Sequence, residues 1–75
     1  HLEDIALVDE AAQLLLKAGE RKLALKLYKN ILFKNKLPEA LELKLLDHAL
    51  SLAYLSGDLK FSSKINKKIL KLKPE

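Results

Sequence analysis

The sequence predicts an all-α fold built as two helix–turn–helix units, and three observations carry that prediction. Leucine, alanine, lysine and glutamate dominate the 75 residues, and these are strong helix formers. Valine occurs once and threonine never, so strand-forming composition is nearly absent. The glycines and prolines, Gly19, Pro38, Gly57 and Pro74, fall 19, 19 and 17 residues apart. Glycine ends helices and proline opens or follows them.

The first helix, 3–18, carries Ile5, Val8, Ala11, Ala12 and Leu15 at helical spacing. Gly19 closes it. The second, 20–35, has Leu23, Ala24, Leu27, Tyr28, Ile31 and Leu32 in its stripe. The third, 38–56, opens at Pro38, sets Leu43, Leu46, Ala49, Leu50 and Ala53 on one face, and stops at Gly57. The fourth, 58–72, offers Phe61, Ile65, Ile69 and Leu70, with Ser62 and Asn66 as polar gaps. Turns this short make successive helices antiparallel neighbours.

Sliding the chain against itself by 38 residues puts the two glycines in register, and ten of 37 pairs are then identical. Leu7/Leu45, Asp9/Asp47, Ala11/Ala49, Leu14/Leu52 and Lys26/Lys64 are among them. Two copies of one helical hairpin account for this register. The expected organisation is a single all-α domain, 1–75, with repeat one at 5–38 and repeat two at 43–75.

Composition excludes several classes. There is no cysteine, so neither a disulfide nor a thiolate metal site exists. His1 and His48 alone do not build a metal centre. Two glycines do not make a phosphate cradle, and no cofactor is expected. No apolar run approaches the roughly 20 residues of a membrane span. The chain opens on histidine and holds no methionine, which predicts a processed or excised piece. A cytoplasmic location is expected, although the missing cysteines fit either redox compartment.

Charge is partitioned by helix. Residues 1–18 hold four acids and one base, and residues 38–57 three acids and one base. Residues 20–36 and 58–73 each hold one acid and six bases. The second helices are therefore the basic ones, with lysines recurring at helical spacing: Lys22, Lys26 and Lys29 in one copy, Lys60, Lys64, Lys67, Lys68 and Lys71 in the other. Such a face contacts phosphates non-specifically or serves solubility alone. Arginine, the usual reader of base edges, occurs only at Arg21, and no aromatic interleaves the lysines. Residues 59–73 also read as a cationic amphipathic helix. Asp47 and His48 are adjacent and point about 100° apart on a helix, so they form no orienting pair. No nucleophile elbow surrounds Ser51, Ser56, Ser62 or Ser63, and no enzyme is expected.

The pattern of an apolar residue, small residues, a Gly-acidic turn, then a small residue and a large aromatic resembles a pair of tetratricopeptide repeats. The first copy shows it as Val8, Ala11-Ala12, Leu15, Gly19-Glu20, Ala24, Tyr28 and Ile31. The second shows Leu46, Ala49-Leu50, Ala53, Gly57-Asp58, Ser62, Asn66, Ile69 and Pro74. Val8 and Leu46 stand where the family has tryptophan, Asn66 replaces the aromatic, Lys36 replaces a closing proline, and the period is 38 rather than about 34. The four extra residues fall near 38–42 and lengthen the start of the third helix. A plain four-helix bundle and other hairpin repeats stay open.

The resemblance implies a fragment of an α-solenoid, acting as a protein–protein interaction scaffold. First helices line its groove and second helices form its outer wall, which makes the lysine rows a basic outer face and places Asp9, Glu10, Gln13 and Leu16, then Asp47, His48, Ser51 and Tyr54, toward a partner. Acids there favour a basic or amphipathic peptide. Tyr54 also reads as a half-buried core residue. The runner-up is a basic helical domain for nucleic acid or an anionic membrane surface; self-assembly is a third. Leu7 and Leu14 lie beside the main stripe, and Ile65, Ile69 and Leu72 lack a following helix. Both repeat ends are therefore expected to expose apolar surface and to favour a homo-oligomer or a longer array.

Overall fold

The computed structural model describes residues 2–34 and 36–73; the terminal marks His1 and Pro74 lie outside them. Four helices account for most of the described chain, which contains no strand. They are α1, Leu2–Lys17; α2, Arg21–Lys34; α3, Glu39–Ser56; and α4, Leu59–Leu72. The chain divides into two compact units, 1–37 and 38–75. Unit 1 packs α1 on α2, and unit 2 packs α3 on α4.

Both turns are built alike, and the glycines explain why. Gly19 has φ 84° and Gly57 has φ 72°. In that left-handed region the Glu20 amide reaches back to the Leu15 carbonyl at 2.8 Å, and the Gly19 amide to Leu16 at 3.0 Å. In unit 2 the Asp58 amide donates to Ala53 at 2.9 Å and the Gly57 amide to Tyr54 at 3.2 Å. This paired closure is the Schellman motif, which satisfies carbonyls that a helix end leaves orphaned. Asp58 then caps α4, its Oδ1 accepting from the Phe61 amide at 3.0 Å. α3 starts behind Pro38, whose φ of −57° suits a helix entry. α3 has 18 residues and α1 has 16, and at the 38-residue offset α3 runs one residue further at each end, so the added length is not gathered at its start.

The core of unit 1 is Ala12, Ala24, Leu25, Tyr28, Ile31 and Leu32. Unit 2 buries Leu45, Leu46, Ala49, Leu52, Ala53, Phe61 and Ile65, with Ser62 among them. Ser62 is tolerated there because its hydroxyl donates to the Asp58 carbonyl at 2.9 Å. Glu42 is also buried, and its Oε2 lies 2.8 Å from Lys68 Nζ. That contact ties the first turn of α3 to α4, and the carboxylate sits at the helix end where negative charge is favoured.

The periodic stripes need correction at several positions. Ala11 and Leu70 are exposed, and Leu23 keeps 49% of its surface. Leu25, Leu45 and Leu52, outside those stripes, are buried. Ile65 is fully buried, while Ile69 and Leu72 are half-buried, so Ile65 does not belong to the uncovered end. Tyr54 is 58% exposed and is no core residue. In α2 the reason is visible: Ala24 and Tyr28 form the centre of the contact. Both are fully buried, and Tyr28 meets Asp9 and Gln13 of α1; the rotation that brings them inward turns Leu23 outward. Leu7 and Leu14 are 61% and 66% exposed, as their place beside the stripe predicts.

A side chain built on either glycine would meet nothing within 4 Å, so a substitution there pays in backbone strain alone. Gly57→Val is expected to cost about 1–2 kcal/mol, and Gly57→Asn less, because asparagine tolerates the left-handed region. Urea unfolding of both variants tests this. Equal midpoints for the valine variant and the parent would show that the turn does not need its positive φ.

Candidate functional site

α1 sets Asp9 and Gln13 one turn apart on the side that meets α2. From α2, Tyr28 comes between them, fully buried. Its hydroxyl donates to Asp9 Oδ1 at 2.6 Å and accepts from Gln13 Nε2 at 2.7 Å. A buried carboxylate without donors is costly, and this arrangement supplies one. Burial, first, and the hydrogen bond to Asp9, second, push the Tyr28 phenol far above its ordinary 10.0. Among the described residues no buried side-chain nitrogen or oxygen lacks a partner.

This pin changes the reading of the acidic face in unit 1. Asp9 is buried against Tyr28 and does not face solvent, because a carboxylate one turn from Gln13 meets the phenol of the opposite helix. Gln13 is half-buried in the same network, Leu16 is half-buried, and Glu10 is exposed. In unit 2 the equivalent of Tyr28 is Asn66, whose amide donates to the Tyr54 hydroxyl at 3.3 Å on the surface. Asp47 is exposed there. Asp47, Ser51 and Tyr54 share one exposed face of α3 at i, i+4 and i+7. His48 is half-buried and lies to the side of that face.

The lysine rows of α2 and α4, Lys22, Lys26, Lys29, Lys60, Lys64, Lys67 and Lys71, are exposed. Two of them border a feature that the sequence pattern does not reveal. Leu15 of α1 and Leu23 and Leu27 of α2 floor an open furrow of about 540 Å³ in unit 1. Lys26, Lys29, Asn30 and Lys34 complete its lining. A smaller hollow of about 330 Å³ shares Leu23, Lys26 and Lys29, and adds Lys22 and Leu25. The periodic reading assigns Leu15, Leu23 and Leu27 to the core. The signal against that assignment is local: the row Leu23, Leu27, Asn30, Lys34 turns polar halfway along α2, which marks a rim rather than a centre.

Among the described residues no helix is long and apolar enough to cross a membrane, and no three His, Cys, Asp or Glu residues converge as a metal site. Comparison of the chain with protein-family models, with curated proteins and with solved structures finds no match.

Tyr28→Phe removes the donor from Asp9 and is expected to destabilise by about 1–3 kcal/mol. The pH dependence has a definite sign. The unfolded chain releases the Tyr28 proton near pH 10.0 while the folded chain holds it, so stability falls as pH rises above that value. In Tyr28→Phe this part of the fall disappears. Chemical denaturation of both proteins from neutral to strongly alkaline pH gives the comparison, and parallel curves would refute the buried phenol.

Proposed function

We propose that this chain is a protein–protein interaction module that takes up an amphipathic helix of a partner. The observation that carries the reading is the furrow of unit 1, an apolar floor of Leu15, Leu23 and Leu27 with a lysine border. Amphipathic helices recognise such surfaces by anchors at i, i+4 and i+7 in an apolar groove. The border selects acidic flanks on the partner, since opposite charges steer encounter and like charges penalise the wrong helix.

The likeness to tetratricopeptide repeats belongs to the same proposal. The Gly-acidic turns and the buried small residues Ala24 and Ser62 support it; the exposed Asn66 is where the second copy departs from it. The role is binding rather than catalysis: Asp9 is engaged in holding α1 to α2, and His48 and Asp47 diverge on their helix. A second reading rests on the exposed face of Asp47, Ser51 and Tyr54, whose acid and aromatic ring suit a basic peptide.

Two synthetic helices, identical except for glutamate or lysine beside their leucines, separate the readings. The glutamate helix is expected to shift amide resonances of Leu23, Lys26, Leu27 and Asn30, and Lys26→Glu with Lys34→Glu is expected to weaken it about tenfold or more. Preference for the lysine helix, with shifts at Asp47 and Tyr54, favours the α3 surface instead. No shift with either peptide at millimolar concentration contradicts the module.

A further inference from the structure

Unit 1 carries, beside the furrow, a surface with the complementary chemistry. Leu7, Ala11 and Leu14 stand at i, i+4 and i+7 on the side of α1 turned away from Tyr28, and all three are exposed. Asp4 and Glu10, both exposed, flank them. This is an amphipathic helix face with acidic borders, the occupant that the lysine-bordered furrow selects. The stripe from Leu7 to Leu14 rises about 10 Å, and the furrow row from Leu23 to Lys34 about 16 Å, so the stripe fits within the row's length.

We infer that the chain pairs with a second copy of itself, each copy laying the Leu7–Ala11–Leu14 face of α1 into the furrow of the other. Ala11 of the stripe and Leu15 of the furrow are neighbours at i and i+4 on α1. The two surfaces therefore adjoin, and a two-fold axis between copies pairs each stripe with the other copy's furrow. Acidic α1 borders then meet Lys26, Lys29 and Lys34 in both directions. The inference rests on the furrow being a helix-binding surface and adds the identity of its occupant.

Charge reversal tests it through sedimentation from micromolar to millimolar concentration, with circular dichroism confirming each fold. The parent is expected to pass from monomer to dimer. Glu10→Lys alone and Lys26→Glu alone each set like charges together and raise the dissociation constant about tenfold. An equimolar mixture of the two variants restores opposite charges at both contacts and is expected to give a heterodimer as tight as the parent; the double variant in one chain recovers likewise. Raising salt weakens the parent dimer. A parent that stays monomeric throughout overturns the pairing, as does association that ignores either reversal or that mixing does not rescue. The glutamate-flanked synthetic helix separates the two levels. If it still binds the furrow of a monomeric parent, only the second copy is wrong as occupant; if it too fails, the furrow is not a helix site.

Discussion

The Tyr28 hydroxyl donating to Asp9 is the contact from which the surface of unit 1 follows. A carboxylate buried between helices has few acceptable positions, because it must keep a donor within hydrogen-bond reach. Asp9 has that donor at 2.6 Å, and Gln13 closes the network from the next turn of α1 at 2.7 Å. Once this side of α1 faces Tyr28, the remaining sides have fixed destinations. Ala12 goes into the core, Leu15 reaches the margin, and Leu7, Ala11 and Leu14 face out. On α2 the same contact buries Ala24, Leu25, Ile31 and Leu32 and leaves Leu23 and Leu27 to floor a furrow. The polar pin therefore sets which leucines are core and which are surface.

Unit 2 shows what happens when one member of the pin is replaced. Asn66 stands at the position of Tyr28, one repeat later, and is too short to span the helices as a phenol does. It is exposed and bonds to Tyr54 instead. Asp47, the counterpart of Asp9, is then exposed as well. α3 and α4 are tied by a different polar contact, Glu42 with Lys68, at the end of α3 remote from Gly57. The exposed face of Asp47, Ser51 and Tyr54 is a consequence of this exchange. Two copies of one hairpin thus present different chemistry although their turns close with the same hydrogen bonds.

Legibility in the sequence tracks how local the determining physics is. The helices and both turns were readable because a positive φ at Gly19 or Gly57 and the stop it imposes are properties of a few neighbouring residues. The uncovered Leu7 and Leu14 were readable for a similar reason, since one stripe per helix leaves them over. The rotation of each helix about its own axis was not. Asp9 reads as a surface acid until Tyr28, 19 residues away, is known to meet it. Glu42 reads the same way until Lys68 is placed. Leu23 and Leu27 share an apolar spacing that turns polar only at Asn30 and Lys34, and the burial of Tyr28 against Asp9 settles that this row is a rim. Periodicity names a face; a long-range polar pair decides where it points.

Methyl-resolved NMR with a soluble paramagnetic relaxation agent tests this rotation most directly. Strong relaxation of the methyls of Leu7, Leu14 and Leu23, and protection of Leu25 and Leu32, are expected in the parent protein. Protection of Leu23 with strong relaxation of Leu25 would place α2 on the opposite side of its contact with α1. The furrow would then not exist, and the Tyr28–Asp9 contact would not set the rotation of the helices.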